Sequence, residues 1–261
     1  MSTTGNLNNV PTLLVTRPDH QAGQLIDLIN SAGGLAYGFP SIEIRPTRNR
    51  SALLATIKTL PDCDYVFFIS PNAVTHGIEA ISGTIGDVPN TVKLAAIGAG
   101  TVAALETAGY QCQLSPKENF NSESLLALPA LQDVKNKRVI IFRGNGGRNK
   151  LKNELSKRGA HVAYAECYER VIPGTSPEAL INKLRNHNIN IISFTSADAA
   201  RNLVTMLGDN AELVFNLPVI VISQRISDVC LSLGFKAGII LAKSASNEAI
   251  VDSMMAWLKK K

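Results

Sequence analysis

The residues best suited to chemistry stand in a glycine-rich segment, Arg143-Gly144-Asn145-Gly146-Gly147-Arg148, directly after an apolar run. Glycines let a backbone approach a ligand closely, and the start of a following helix favours an anion. The segment has neither the Gly-Lys-Ser/Thr ending of a phosphate loop nor the Gly-x-Gly-x-x-Gly pattern of a dinucleotide site. It therefore indicates either a plain tight turn or an anion-binding turn whose contacts are Arg143, Gly144, Gly147 and Arg148.

Four further turns after apolar runs carry hydroxyl groups, glycines or a cation that could face a ligand. Serine is also a common helix cap, and capping alone would explain Ser70 and Ser196. A nucleophilic serine needs a base within reach. The nearest histidine in sequence, His76, has no identifiable partner, so we reject a serine triad. The candidate ligand contacts in these turns are Ser70, Asn72, Ala73, Gly98, Thr101, Thr195, Ser196, Ser223 and Arg225.

Histidine and cysteine do not predict a metal site. The four histidines and four cysteines are scattered, without ligand spacing and without a Cys-x-x-Cys pair. We interpret the cysteines as buried or half-buried free thiols in a reducing compartment. Tyr168 is either a packing residue or a hydroxyl aimed at a ligand. With no paired carboxylates, no metal and no cofactor motif, an enzyme of this kind would work by positioning, hydrogen bonds and one mild acid.

The chain repeats itself at a long, nearly fixed offset. Val15-Thr16-Arg17-Pro18 returns 126 positions later as Ile141-Phe142-Arg143-Gly144, and Phe68-Ile69-Ser70 returns at the same offset as Phe194-Thr195-Ser196. A period this long indicates two similar domains rather than a solenoid. Because small ligands bind preferentially at domain interfaces, we expect the ligand in a cleft between the domains. The repeat also places Arg17 at the position of Arg143, which makes it a candidate anion contact.

Apolar runs, each followed by a polar or glycine turn and then a helical segment, alternate along the chain. They lie at residues 12–15, 65–69, 93–97, 138–142, 189–194 and 218–222. Since they lack strict alternation, they are typical of strands covered on both faces, and strands alternating with helices form parallel sheets. Ligands of such sheets sit beyond the carboxyl ends of the strands. The pattern predicts two α/β domains with parallel sheets.

Two stretches bracketed by proline, Phe39–Pro46 and Glu166–Pro173, do not fit this alternation. They are about 126 positions apart, like the other repeated segments. Each could be an edge strand or a connector between domains. If both are connectors, the chain crosses to the other domain and returns, so that one domain contains both termini. Two consecutive halves remain the alternative from these residues alone.

Composition narrows the class of protein. The formal net charge is +5, and residues 135–158 hold nine Lys or Arg against one acid. This excess suits either a solvated helix face or a polyanionic small substrate. Aromatic residues make up only 5% and no nucleic-acid motif appears, so we expect no nucleic-acid partner. No apolar run could span a membrane, and residues 1–9 show no signal pattern, so we expect a soluble cytoplasmic protein.

Taken in order, these motifs resemble the uroporphyrinogen-III synthase family. The similar segments are Val15–Pro18, Phe68–Val74, Ala96–Gly98 with Thr101 and Leu105, Arg143-Gly144 with Gly147-Arg148, Tyr168–Arg170, Phe194–Ser196 and Leu233–Phe235. The resemblance implies two flavodoxin-like α/β domains with parallel sheets, joined by a two-stranded linker. One domain would comprise residues 1–40 and 172–261 and the other residues 46–166, with linker strands at about 40–46 and 166–172.

The resemblance also implies a reaction. The family members are cofactor-independent lyases that cyclise hydroxymethylbilane, a linear tetrapyrrole, to uroporphyrinogen III, with loss of water and inversion of ring D through a spiro intermediate. The substrate is a polycarboxylate, which gives Arg17, Arg143 and Arg148 an obvious role. Tyr168 matches the tyrosine proposed to assist departure of the ring A hydroxyl. The Ser223–Arg225 turn departs from the Gly-Pro-Thr-like turn of many members, so a catalytic hydroxyl there is in doubt.

Further expectations and alternatives accompany this resemblance. A transient contact with the upstream hydroxymethylbilane synthase would follow from the reaction. A non-catalytic two-domain module that binds an anionic small ligand in its cleft would keep the cleft but would not need Tyr168. A nucleotide- or flavin-binding protein of flavodoxin type is the other alternative, and the absence of a phosphate-loop or dinucleotide signature counts against it.

Overall fold

The computed structural model describes residues 10–118 and 120–259, and these divide into two compact units. The first unit contains the described residues of Met1–Glu43 and Val171–Lys261, and the second is Ile44–Arg170. The chain thus passes between the units at residues 43–44 and 170–171. Residues 1–9, where no signal pattern was expected, lie outside the described residues.

Strands and helices mostly alternate along the described chain. The strands are β1 (Thr12–Val15), β2 (Leu35–Gly38), β3 (Glu43–Pro46), β4 (Tyr65–Phe68), β5 (Lys93–Ala96), β6 (Arg138–Gly144), β7 (His161–Val171), β8 (Ile191–Phe194), β9 (Val219–Val221) and β10 (Ile239–Leu241). The helices are α1 (Asp19–Ser31), α2 (Arg50–Ile57), α3 (Pro71–Ile85), α4 (Ala99–Thr107), α5 (Ser122–Leu126), α6 (Lys150–Lys157), α7 (Glu178–Arg185), α8 (Ala197–Leu207), α9 (Glu212–Phe215), α10 (Gln224–Leu233) and α11 (Asn247–Leu258). The exceptions to the alternation are that β3 follows β2, α5 follows α4 and α9 follows α8.

The first unit is built on a sheet with the strand order β10-β9-β8-β1-β2, whose neighbours all pair in parallel. Numbered within the unit, this is the flavodoxin-like order 2-1-3-4-5. Leu13, Leu14 and Val15 of β1 are fully buried, because helices cover both faces of a parallel sheet. Leu13 and Val15 pack with Leu25 of α1 and Ile250 of α11.

The second sheet has the order β3-β7-β6-β4-β5, in which β4, β5, β6 and β7 form parallel pairs. Successive residues of its central strands contribute to cores on opposite faces: Val66 and Phe68 lie in one, Tyr65 and Phe67 in the other. The parallel register of β6 and β7 shifts at Arg143 and Gly144, which pair with Glu166 and Tyr168. The predicted fold class, two α/β units with parallel sheets, is confirmed.

The repeat and the units do not coincide. At the offset of 126 residues, β1 and β2 correspond to β6 and β7, and β4 and β5 correspond to β8 and β9. The first unit takes β1 and β2 from the first repeat and β8 to β10 from the second. The second unit takes β3 to β5 from the first repeat and β6 and β7 from the second. Each unit therefore contains parts of both repeats.

The helices of the described chain are too short or too polar to cross a bilayer. Within the same residues, no three His, Cys, Asp or Glu side chains are grouped as metal ligands. All four cysteines are free, and they are buried or half-buried as predicted.

Candidate functional site

A cavity of about 210 Å³ lies at the carboxyl edge of the second sheet. The parallel strands β4, β5 and β6 end here, so the turns that follow them converge on one edge. Six of the predicted site residues line the cavity: Ser70, Arg143, Gly144, Gly147, Arg148 and Tyr168. Ser122, Tyr164 and Arg170, which were not predicted as site residues, line it as well.

Arg143, near the end of β6, is a buried cation with only 3% of its surface exposed. Its Nε donates to the Gly144 carbonyl at 3.2 Å, and its guanidinium carbon lies 4.4 Å from the centre of the Tyr164 ring. Nη1 donates over longer distances of 3.4 Å to the Arg148 carbonyl and to Asn149 Oδ1. Among the described residues, Arg143 forms no ion pair with a carboxylate. A buried positive charge held only by neutral groups favours an anionic ligand.

The glycine turn gives Arg143 the space it occupies. Gly146 and Gly147 have positive φ angles of 68° and 92°, a region that L-residues rarely adopt. A Cβ atom at Gly147 would lie 2.7 Å from Nη2 of Arg143. Arg148 at the end of the turn is exposed, so its charge faces solvent and the cavity.

Tyr168 on β7 is buried, with 1% of its surface exposed, yet its side chain lines the cavity. Its hydroxyl lies 3.1 Å from Ser70 Oγ and accepts a hydrogen bond from Arg170 Nη2 at 3.0 Å. The ring packs on Gly144 so closely that a Cβ atom there would lie 2.5 Å from Tyr168 Cε2. The register shift between β6 and β7 occurs at this pair, and such irregularities re-aim side chains.

The other predicted residues of the second unit lie at the starts of the helices α3 and α4. Ser70 caps α3, accepting from the Ala73 N–H at 3.1 Å. Ala73 is fully buried and Thr101 is 3% exposed, so their side chains belong to the packing of α3 and α4. Gly98 is the N-cap of α4, and Asn72 is half-buried in the first turn of α3. Unlike Ser70, these four residues (Asn72, Ala73, Gly98 and Thr101) do not line the cavity.

The first unit places the remaining predicted residues at the carboxyl edge of its own sheet. Arg17, which follows β1, donates to Asn247 Oδ1 at the start of α11, and burial lowers the pKa of Arg17. Ser196 caps α8, accepting from the Ala199 N–H at 3.1 Å, and Thr195 beside it is half-buried. Ser223 is the N-cap residue of α10 without a side-chain capping bond, and Arg225 in that helix is exposed.

Four residues that contact the predicted ones were missed: Asn149, Tyr164, Arg170 and Asn247. Asn247 lies 230 positions from Arg17, and no local spacing connects them. Tyr164, Tyr168 and Arg170 lie on one strand, but the register shift of β7 interrupts its alternation, so that Tyr164 and Tyr168 pack against cores on opposite faces of the sheet. Even their common strand was not predicted, because only residues 166–173 were interpreted as an extended stretch, whereas β7 begins at His161.

The sequence of this chain is similar to one known protein family over most of its length. The family model described as uroporphyrinogen-III synthase HemD matches residues 23–252. The uroporphyrinogen-III synthase of Escherichia coli (strain K12) is 29% identical over 245 residues, which cover 93% of this chain and 99% of that protein. The enzyme of that name from Proteus mirabilis is 31% identical over 194 residues, which cover 74% and 98%.

Solved structures show the same fold. A mutant uroporphyrinogen III synthase from the extremely thermophilic bacterium Thermus thermophilus aligns with a TM-score of 0.64 at 17% identity, covering 97% of this chain and 100% of that one. The uroporphyrinogen-III synthetase of Helicobacter pylori 26695 aligns with a TM-score of 0.61 at 14% identity, covering 95% and 100%. The family model matches residues 23–252, which is most of this chain. The chain therefore belongs to the uroporphyrinogen-III synthase family.

Proposed function

We propose that this chain converts hydroxymethylbilane to uroporphyrinogen III, acting as a lyase without a cofactor. The observation that carries the proposal is the pairing, in one cavity, of the Tyr168 hydroxyl with the buried guanidinium of Arg143. The first can give a proton to a leaving hydroxyl, and the second suits a carboxylate of the substrate. Family membership supports the same reaction.

The reaction begins at the hydroxymethyl group of ring A. Tyr168 donates its hydroxyl proton to the leaving oxygen, the carbon–oxygen bond breaks, and water departs with the bonding electron pair. Ring A and the methylene that remains form an electrophilic protonated azafulvene, which balances the charge of the tyrosinate. The ring D carbon that bears the chain attacks it and forms a spiro-pyrrolenine, which fragments and closes again with ring D inverted. The final loss of a proton restores the aromatic pyrrole, and this proton can return to Tyr168.

Substrate binding rests on charge and on backbone donors. Arg143 and Arg148 hold carboxylates at the glycine turn of the second unit, where charge-assisted hydrogen bonds are the strongest available. Arg17 and the turns of Thr195, Ser196, Ser223 and Arg225 bind further carboxylates from the first unit. Asn72, Ala73, Gly98 and Thr101 lie at the starts of α3 and α4, where the positive ends of the helix dipoles favour carboxylates nearby.

Two further proposals follow from the chemistry of the substrate. Free hydroxymethylbilane closes spontaneously to the wrong isomer, so rapid transfer from the upstream synthase is an advantage. We propose a transient contact between this chain and that synthase. We also propose that this chain acts in the cytoplasm. The proposed contact would show as a higher fraction of isomer III at a given enzyme concentration when both proteins are present than when the substrate is supplied free.

The test is to incubate the purified protein with enzymatically prepared hydroxymethylbilane and to separate the oxidised products by isomer. We expect isomer III with the protein and isomer I in a matched reaction with heat-denatured protein. Binding of the substrate with only isomer I as product would identify a non-catalytic module instead. Unchanged activity after dialysis against a chelator, in a protein without visible absorbance, would support the absence of a cofactor.

A further inference from the structure

The repeat supplies an internal comparison for Tyr168 and its neighbours. Ser41 Oγ donates to the Ala199 carbonyl at 2.9 Å, and Cys167 Sγ donates to the Ala73 carbonyl at 3.6 Å. The two donors are 126 positions apart in sequence, and so are the two acceptors. This hydrogen bond is therefore equivalent in the two repeats, although Ser41 follows β2 and Cys167 lies within β7.

Beyond this point the two repeats carry different chemistry. Tyr168 and Arg170 correspond to Ile42 and Ile44 of the first repeat. The capping serine, in contrast, is kept: Ser70 and Ser196 each accept an N–H of their own helix at 3.1 Å. Since Ser196 caps its helix without a neighbouring tyrosine, the fold of this segment does not require a Tyr–Arg pair. The pair is an addition in the unit that holds the cavity.

Arg170 is held in place by the glycine turn. Its backbone N–H donates to Asn145 Oδ1 at 2.9 Å, and the Asn145 N–H donates to the Tyr168 carbonyl at 2.9 Å. The guanidinium of Arg170 donates to Tyr168 Oη at 3.0 Å and lies 5.5 Å from the centre of the ring. These contacts join the turn, the arginine and the phenol in one arrangement.

The hydrogen-bonding capacities of these groups fix the direction of the bond between Arg170 and Tyr168. A guanidinium only donates, so Tyr168 Oη accepts from Arg170. Ser70 Oγ already accepts the Ala73 N–H, and its own proton can be donated to Oη across 3.1 Å. When Ser70 donates in this way, Tyr168 accepts two hydrogen bonds, and its single proton is available for a group in the cavity.

We propose that Arg170 is a positioning residue for proton donation by Tyr168, an inference that rests on the proposed function. Arg170 holds the phenol with its proton directed away from the guanidinium and stabilises the tyrosinate that forms. In the step itself, the O–H bond of Tyr168 breaks and its proton joins the ring A hydroxyl oxygen. The carbon–oxygen bond breaks with its electron pair on the departing water, and the proton released when the macrocycle closes restores the phenol.

A double-mutant cycle tests this role. We expect Arg170→Met to lower kcat about tenfold or more with KM within about twofold, because a hydrogen bond that becomes stronger as the tyrosinate forms is lost. Arg170→Lys, which keeps the charge but not the planar fork, should recover part of the loss. In a Tyr168→Phe background, Arg170→Met should change kcat by less than about twofold, because the two residues act as a unit. The matched control is Arg138→Met, an exposed arginine at the opposite end of the same sheet.

Two outcomes would overturn the inference. One is an equal loss from Arg170→Met with and without the Tyr168 hydroxyl, which would mean that Arg170 acts independently. The other is a rise in KM at constant kcat, which would make Arg170 a carboxylate contact. A wild-type protein that forms no isomer III would refute the proposed function instead.

A second measurement reports on the contact without substrate. In protein labelled with carbon-13 at the tyrosine Cζ, Tyr168 is identified by the resonance missing from Tyr168→Phe. Arg170→Met should shift that resonance and Arg138→Met should not, since Arg170 donates to this hydroxyl whereas Arg138 lies at the opposite end of the sheet. An unshifted resonance in a folded Arg170→Met protein would also contradict the inference.

Discussion

Tyr168 combines burial with access to a cavity, so removal of its hydroxyl can separate chemistry from packing. We expect Tyr168→Phe to lower turnover, with affinity for the product nearly unchanged and a smaller ratio of isomer III to isomer I. General-acid assistance contributes about a hundredfold or more, but the substrate loses its hydroxyl easily, so the loss should be smaller than that. Initial rates and isomer analysis of the products measure both effects.

The matched control for this substitution is Tyr65→Phe. Tyr65 is a buried tyrosine at the start of β4, far along the strand from the cavity, and its hydroxyl donates to the Ala130 carbonyl. It should leave the turnover and the isomer ratio unchanged. Wild-type turnover and isomer ratio in Tyr168→Phe would reduce Tyr168 to a packing residue.

Arg148 tests the charge of the glycine turn without disturbing a core, because it is exposed whereas Arg143 is buried. We expect Arg148→Glu to raise KM about tenfold, the cost of one charge-assisted hydrogen bond to a carboxylate, and added salt should raise the wild-type KM as well. Lys157→Glu makes the same change in net charge at the far end of α6 and should raise KM far less. Similar KM values for both variants would remove Arg148 from the site.

At the residue scale, the sequence indicates which residues lie at the candidate site better than it indicates which side chains they contact. Arg143 and Gly147 were predicted because turns after parallel strands face ligands, and Tyr168 was predicted from the family resemblance. Their contacts with Tyr164 and Arg170 depend on the length of β7 and on its register shift against β6, and neither is encoded in a local pattern. The functional roles of these residues stay predictions until the variants are measured.

At the scale of elements, the turn between β6 and α6 offers a paired experiment on two glycines. Gly146→Ala and Gly147→Ala both place a side chain at positive φ, which costs about 1–2 kcal/mol of stability in each case. Only at Gly147 would the new methyl group meet Arg143, at 2.7 Å, while nothing lies within 4 Å at Gly146. We therefore expect similar losses in melting temperature but a larger increase in KM for Gly147→Ala. Equal KM values would show that the turn does not set the position of Arg143.

Strands were predictable where they are buried on both faces. The apolar runs at 65–69 and 138–142 correspond to β4 and β6, because the core of a parallel sheet demands continuous apolar sequence. The edge strands β2 and β10 were missed, since they are short and only half-buried. Local composition carries little signal for such strands. The stretch at 39–46 contains a strand only over Glu43–Pro46.

At the scale of the whole molecule, buried thiols predict how stability depends on pH. Burial raises the pKa of Cys167 to about 12 and that of Cys63 and Cys230 to about 11. A raised folded-state pKa means that the unfolded chain loses these protons first, so the stabilisation is complete below the ordinary thiol pKa near 8.5 and is lost toward the folded values. Urea unfolding should give a free energy that falls between about pH 9 and pH 12, and the fall should be smaller in Cys167→Ala. An identical pH dependence of both proteins would contradict this assignment.

The division into units predicts which fragments fold alone. Residues 44–170 contain every strand of the second sheet from β4 to β6 and most of β3 and β7, so we expect this fragment to unfold cooperatively when expressed by itself. Residues 1–125 hold strands of both sheets and complete neither, so they should not. Circular dichroism during heating distinguishes the two cases. A cooperative transition in the fragment 1–125 alone would contradict the predicted domain boundaries.

The sequence repeat was recognisable, but its relation to the units was not determined by the repeat alone. Consecutive halves and crossing connections both fit a period of 126 residues. Only the proline-bracketed stretches favoured the crossing, because they stand where the chain leaves one unit for the other. The choice depends on long-range strand pairing, such as β1 with β8, for which a single sequence has no local signal.

The mixing of repeats within each unit has a consequence for how chemistry can be distributed. A protein of one repeat could complete its sheets only by exchanging halves with a second copy, as in a domain-swapped homodimer. In such a dimer every substitution would appear twice, once at each symmetry-related position. A continuous chain is free of that constraint, and Ile42 and Ile44 can stay apolar while their counterparts become Tyr168 and Arg170. Fusion thus permits broken symmetry, with an ionisable pair confined to one of two segments that correspond in sequence.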